Sequence, residues 1–224
     1  MKKKRWILAS PGLLLLAAFA HNAVGGWAVV SVQDVPDYAV AGQPLTLTYS
    51  VRQHGEELHP DLKGTVSARS GTASVSVDAK ATTQPGYYSA TLTLPNAGDW
   101  TLTIASGFGK SQLKLLPIRA VAAGTPAPPA LAPDERGRRL FVAKGCVTCH
   151  THSDSKAEVA GKDGPPDLTD RTFAPTYLAD FLANPKIKPP ATKNGWQMPN
   201  QQLKQAEIAA LVAFINSDRR VASR

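Results

Sequence analysis

The chain is poor in sulfur. Its 224 residues include two cysteines and two methionines, one of which is Met1. The cysteines are Cys146 and Cys149. So few thiols, placed so close together, exclude a disulfide framework and an all-cysteine zinc site. Long apolar runs are also scarce. The most apolar stretch, Trp6 to Ala20, is fifteen residues interrupted by Pro11 and Gly12, too short for a comfortable membrane span. There is no internal repeat and no βαβ pattern.

The neighbours of the two cysteines define their chemistry. Cys146-Val147-Thr148-Cys149-His150 is a C-x-x-C-H motif, the attachment pattern of a c-type haem. Two thiols three positions apart can add to the two vinyl groups of one porphyrin, leaving His150 beneath the metal as an axial ligand. Zinc would need His150 and a fourth group such as His152 within seven residues, which is sterically poor. A thioredoxin-like C-x-x-C belongs in a βαβ unit, which is missing here.

An electron-transfer haem takes histidine or methionine on its second face, whereas an open position suits gas binding or peroxidase chemistry. Met198 is the one thioether left after processing, 48 residues beyond His150. Pro199 biases it towards extended backbone, and Asn194, Gly195 and Pro199 mark a loop. A methionine can also fill a core. In so polar a loop, ligation is the better reading. His152, the local rival, follows His150 too closely to reach the far face.

Helical signals surround the motif. Asp134 is a good N-cap after Pro133, Glu135 suits the first turn, and Gly145 ends the helix before Cys146. Gln205 to Ser217 carries Ile208, Leu211, Val212 and Ile215 at i, i+3, i+4, i+7. Between them, Pro175 to Asn184 reads as a third helix. Gly137 is costly in a helix unless another crosses closely, and Phe214 is the natural residue to lie over it.

On these residues, 134–224 resembles a small class I cytochrome c. The resemblance rests on Gly137 and Phe141, CVTCH, the Gly-Pro-Pro-Asp-Leu segment at 164–168, Gln197-Met198-Pro199, and Glu207 to Leu211. It implies one covalently bound haem c, with iron held by His150 and Met198. It further implies that a proline carbonyl, from Pro165 or Pro166, accepts a hydrogen bond from the proximal histidine; such second-shell acceptors orient ligating imidazoles. Trp196 either packs by the haem edge, bonds a propionate or anchors its loop.

Residues 27–117 differ in character. Apolar and polar residues alternate at Leu45 to Val51, Val75 to Val77, Ala90 to Leu94, Trp100 to Ile104 and Leu113 to Leu115, separated by Gly, Pro and Asn turns. About seven short strands at this spacing predict an antiparallel, immunoglobulin-like β-sandwich. With no cysteine in this region, Trp100, Tyr49 and leucines must build its core. The expected fold class is thus multidomain: an all-β sandwich, then a small all-α cytochrome c domain.

The first half is similar to YtkA-like and FixH-like domains, through Val40 to Leu45, Val51 to Gly55, Gly86-Tyr87-Tyr88 and Ala97 to Trp100. That likeness implies oxidase assembly or copper handling. His54 and His59 flank a polar loop, and cleavage after Ala20 would put His21 at a new N-terminus suited to Cu(II). Neither methionine nor cysteine accompanies them.

The resulting domain plan is 1–20 signal, 21–117 sandwich, 118–133 Ala/Pro-rich spacer and 134–224 cytochrome. The spacer reads as extended polyproline-type chain that leaves the haem half mobile. Lys2 to Arg5, the apolar run and Ala18-Phe19-Ala20 read as a secretory signal, with an uncleaved anchor as the alternative. Either places the chain in the periplasm or on the outer face of the cytoplasmic membrane. Net charge is +8. Residues 134–224 hold 14 basic and 10 acidic residues, while 21–133 hold seven of each. That excess is too small for nucleic acid but suits steering onto an acidic redox partner, such as a membrane oxidase or other respiratory complex. The expected role is electron carrier, not enzyme, with the sandwich as docking or assembly module. The alternatives are copper delivery, or a haem enzyme or gas sensor with labile Met198.

Overall fold

Alternation of apolar and polar residues turns into strands wherever one face of a sheet is buried. In the computed structural model, which describes residues 26–152, 155–157, 165–188 and 197–217, eleven short strands precede four α-helices. Strand β3 (Pro44–Gln53) buries Leu47, Tyr49 and Val51, and β9 (Gly98–Ala105) buries Trp100, Leu102 and Ile104. The region 1–20 lies outside the described residues.

The strands form two sheets. In the first, β1 (Ala28–Val32), β3, β8 (Tyr87–Thr93) and β7 (Lys80–Ala81) lie in that order, and β4 (Glu57–Leu58) pairs with β3. The second runs β2 (Tyr38–Val40), β11 (Ile118–Val121), β9, β5 (Thr65–Ser70) and β6 (Ala73–Asp78), with β10 (Gln112–Lys114) also on β9. One core takes Leu47, Tyr49 and Leu92 from the first sheet and Trp100, Leu102 and Ile104 from the second.

Two expectations change here. The strands are not all antiparallel, because β2 pairs in parallel with β11, Tyr38 opposite Arg119. The first residues given to the spacer, Ile118–Val121, are that same β11, antiparallel to β9 with Ile118 opposite Trp100. Ile118 and Ala120 are buried, so alternation continues past Pro117 and the extended segment starts later.

Helix α1 (Pro133–Ala143) starts one residue before the predicted cap. Ala132 is its N-cap, and Pro133 occupies the first turn, where a missing N–H costs nothing. The short α2 (Cys146–Cys149), α3 (Pro175–Ala183), a 3-10 turn (Pro185–Ile187) and α4 (Gln205–Ile215) follow. A second core joins Leu140 and Phe141 of α1, Leu178 and Leu182 of α3, and Leu211 and Phe214 of α4. As expected, α4 crosses α1 at Gly137: a Cβ there would lie 2.0 Å from the Ala210 carbonyl oxygen and 2.6 Å from Phe214 Cβ.

The helical unit rests directly on the strands rather than hanging from a spacer. Val142 and Ala143 join the strand core. The connection from β1 to β2 receives three cations: Lys144 Nζ donates to the Gln33 carbonyl, Lys204 pairs with Asp34, and Arg136 with Asp37. Among the described residues, no helix is long and apolar enough to cross a membrane.

Candidate functional site

The approach of α1 to strand β1 sets the position of the C-x-x-C-H motif. Gly145 adopts φ 75°, and a Cβ on it would lie 2.6 Å from both Val29 Cγ1 and the Val30 carbonyl oxygen. Only glycine accepts both the left-handed backbone and the contact. The chain then makes the single turn of α2, which puts Cys146 and Cys149, at i and i+3, on the same face. His150 leaves in extended conformation, with its N–H donating to the Cys146 carbonyl at 2.8 Å.

Cys146, Cys149 and His150 line a cavity of about 560 Å³. Pro165, Pro166 and Met198 line it too, with Phe141, Leu178, Leu182 and Leu211 among its apolar walls. Cofactor pockets typically measure about 300–1,000 Å³ and are largely apolar with a few convergent polar groups. The donor set, one imidazole and one thioether beside two thiols, therefore fits a covalently held haem.

The electrostatics agree. His150 Nδ1 lies 2.9 Å from the Pro166 carbonyl oxygen. A carbonyl can only accept, so Nδ1 carries the proton and Nε2 keeps its lone pair. Burial lowers the His150 pKa, partly opposed by that hydrogen bond, which leaves the neutral imidazole a metal requires. Burial, with Cys149 alongside, pushes the Cys146 thiol up to about 12. A redox-active C-x-x-C works through a depressed thiolate pKa, so the environment here runs against thiol exchange.

The other expected residues sort as follows. Pro166, not Pro165, carries the carbonyl facing His150. Met198 lines the cavity at the edge of the helical core. Trp196 lies outside the described residues. His152 is not part of the cavity wall; it is buried, its ring centroid 4.4 Å from that of Phe214 and its Nε2 3.2 Å from the Ile215 carbonyl oxygen. His21 lies outside the described residues too. His59 packs on Phe108, and His54 lies edge-on to Trp27. Among the described residues no group of three or more His, Cys, Asp or Glu could hold a metal ion, so copper gains no support.

Sequence reasoning missed one wall entirely. Trp27, Val29, His54, Gly55 and Glu56, all from the strand unit, line the same cavity. His54 stood out only as a candidate copper ligand, and no local pattern assigns any of the five to this wall, because their place depends on how the two units dock.

The fold and cavity define a helical unit in which two cysteines, a histidine and a methionine line one apolar cavity. Residues 135–218 match the family model for cytochrome c, so the chain carries a cytochrome c domain at its C-terminus. Such a domain implies covalently bound haem c and electron transfer. No curated protein matches the chain. Among solved structures, a protein assigned as a glycoside hydrolase from Bacteroides vulgatus aligns at 15% identity over 40% of this chain and 17% of its own, with TM-score 0.33. An engineered protein aligns at 21% identity over 43% of this chain and 20% of its own, at 0.32. A superoxide reductase from Ignicoccus hospitalis aligns at 17% identity over 42% and 80%, at 0.29. The chain thus spans a fifth or less of the first two, and likenesses this weak fix neither fold nor activity.

Proposed function

We propose that this chain is an exported monohaem cytochrome that passes single electrons between redox protein partners of a respiratory chain. The observation that carries the reading is the meeting of Cys146, Cys149, His150 and Met198 on one apolar cavity. When bound, the haem iron supplies a one-electron couple. Cys146 and Cys149 would tether the ring, the Pro166 carbonyl orients the His150 ring, and Met198 would offer its sulfur from the loop. The apolar walls exclude water, and the thioether ligand favours a raised potential. Both ligands would be held by the chain, so an electron-transfer step would need little rearrangement of the protein.

The basic excess of residues 134–224 supports encounter with an acidic partner, and such contacts are small and transient. The N-terminal signal supports a periplasmic site of action. The strand unit serves as docking or assembly module, a role suggested by its likeness to YtkA-like and FixH-like domains. The test is an absorption spectrum of the oxidised protein. A weak far-red sulfur-to-iron charge-transfer band, lost in Met198→Ala, is the expected result. A wild type without that band that binds carbon monoxide readily when reduced would overturn the carrier reading in favour of a gas sensor or haem enzyme.

A further inference from the structure

The two iron ligands are supported very differently. His150 sits directly after a tethering cysteine and its ring is fixed by the Pro166 carbonyl. Met198 lies in residues 197–204, a stretch with no regular secondary structure and with Gln202 at φ 53°. From the helical side, Gln197 Nε2 donates to the Pro185 carbonyl at 3.0 Å, Asn200 Nδ2 to the Ala183 carbonyl at 3.4 Å and the Lys204 N–H to Glu207 Oε2 at 2.9 Å, while Met198 and Leu203 pack on the helical core.

Further contacts come from the strand unit at three points. The turn between β3 and β4 places Gly55, φ 80°, so that a Cβ on it would lie 3.7 Å from Pro199 Cγ, the residue directly after Met198. Tyr87 Oη of β8 donates to Gln202 Oε1 at 3.4 Å. Lys204 Nζ pairs with Asp34. Groups more than a hundred positions away thus lie beside the start, middle and end of the stretch.

We infer that the strand unit is a clamp for the methionine ligand: the Gly55 turn, Tyr87 and Asp34 are positioning groups that keep Met198 aimed into the cavity. The inference rests on the haem reading above. An irregular loop regains conformational entropy whenever its ligand lets go, and each contact that orders it beforehand lowers that gain. The clamp would therefore keep Met198 available as a ligand, where the cysteine tether does not reach.

The test uses the full-length, haem-bearing chain. Tyr87→Phe combined with Asp34→Ala removes two of the three points while keeping the Tyr87 ring. Asp37→Ala, which removes the contact to Arg136 on α1, weakens the same interface away from the ligand loop. The double variant should bind carbon monoxide roughly two- to tenfold faster when reduced, the equivalent of about one hydrogen bond of ordinary worth. Its far-red band should weaken, and amide exchange should quicken in 197–204. Asp37→Ala should leave all three unchanged. No change in the double variant, or an equal change in Asp37→Ala, would overturn the clamp. A wild type without haem, or without the band, instead overturns the haem reading and the clamp together.

Discussion

Lys144 Nζ lies 2.9 Å from Glu207 Oε1, and the two side chains are only 3% and 7% exposed. The pair joins α1 to α4, and each member has a second partner. Lys144 reaches the Gln33 carbonyl of the strand unit, and the other Glu207 oxygen accepts the Lys204 backbone N–H at 2.9 Å. A single ion pair thus links both helices and the strand unit.

Cutting that pair should be worse than deleting it. Lys144→Ala leaves a buried carboxylate without its cation and is expected to cost about 3–5 kcal/mol. Lys144→Met combined with Glu207→Leu leaves no stranded charge and should cost much less. Urea unfolding of the haem-bearing variants, followed by circular dichroism, compares the two directly.

The crossing at Gly137 gives a second expectation. Alanine is the better helix former by about 1 kcal/mol. Its Cβ, however, would press into the Ala210 carbonyl and Phe214 Cβ, both backbone-fixed atoms. Overpacking of this kind costs about 1–3 kcal/mol. Gly137→Ala should therefore lower the unfolding midpoint of the helical unit despite its higher propensity, as a thermal melt would register.

These two sites differ in how far the sequence alone could reach them. The crossing was legible, since a glycine inside an amphipathic helix asks for a close neighbour and Phe214 lay on the facing helix. The cavity's cysteines, His150 and Met198 were legible from spacing and from sulfur scarcity. Strand β1 was not. Its residues Ala28–Val32 are all buried, Ser31 included, so no alternation appears. That follows from the helical unit covering the face a lone sheet would show to water, where Gly145 meets Val29 and Val30. The same docking hides the roles of Trp27, His54 and Gly55, and short strands such as β4 and β7 have too few residues to carry a period.

Tyr49 should govern stability in alkali. Its hydroxyl is buried with no hydrogen-bond partner, and its ring stacks on Tyr88 at 5.6 Å between centroids. Burial, with Tyr88 nearby, raises the phenol from 10.0 to about 12. The fold holds the neutral form, so this stability is complete below the unfolded value and is lost as pH rises from 10.0 towards 12. Tyr49→Phe removes both the stranded hydroxyl and the titration. It should be as stable as wild type or more so at neutral pH, by about 1 kcal/mol. Its urea midpoint should fall less than that of wild type on moving to about pH 11.

Preventing haem attachment should separate the two halves energetically. The cavity of about 560 Å³ is walled largely by the side chains that make the helical core, Phe141, Leu178, Leu182 and Leu211 among them. Without the prosthetic group, the apolar walls it would cover face water instead, at about 25 cal/mol per Å² of apolar surface. A whole domain is typically stable by only about 5–15 kcal/mol. The helical unit is therefore expected to loosen, collapse or unfold when nothing fills the cavity. The strands have a core of their own around Trp100, Tyr49 and Leu47. In a Cys146→Ser, Cys149→Ser chain, amide exchange should be fast through α1, α3 and α4 while β3, β8 and β9 stay protected. Helices equally protected with and without haem would show that the side chains, not the prosthetic group, hold the C-terminal unit together.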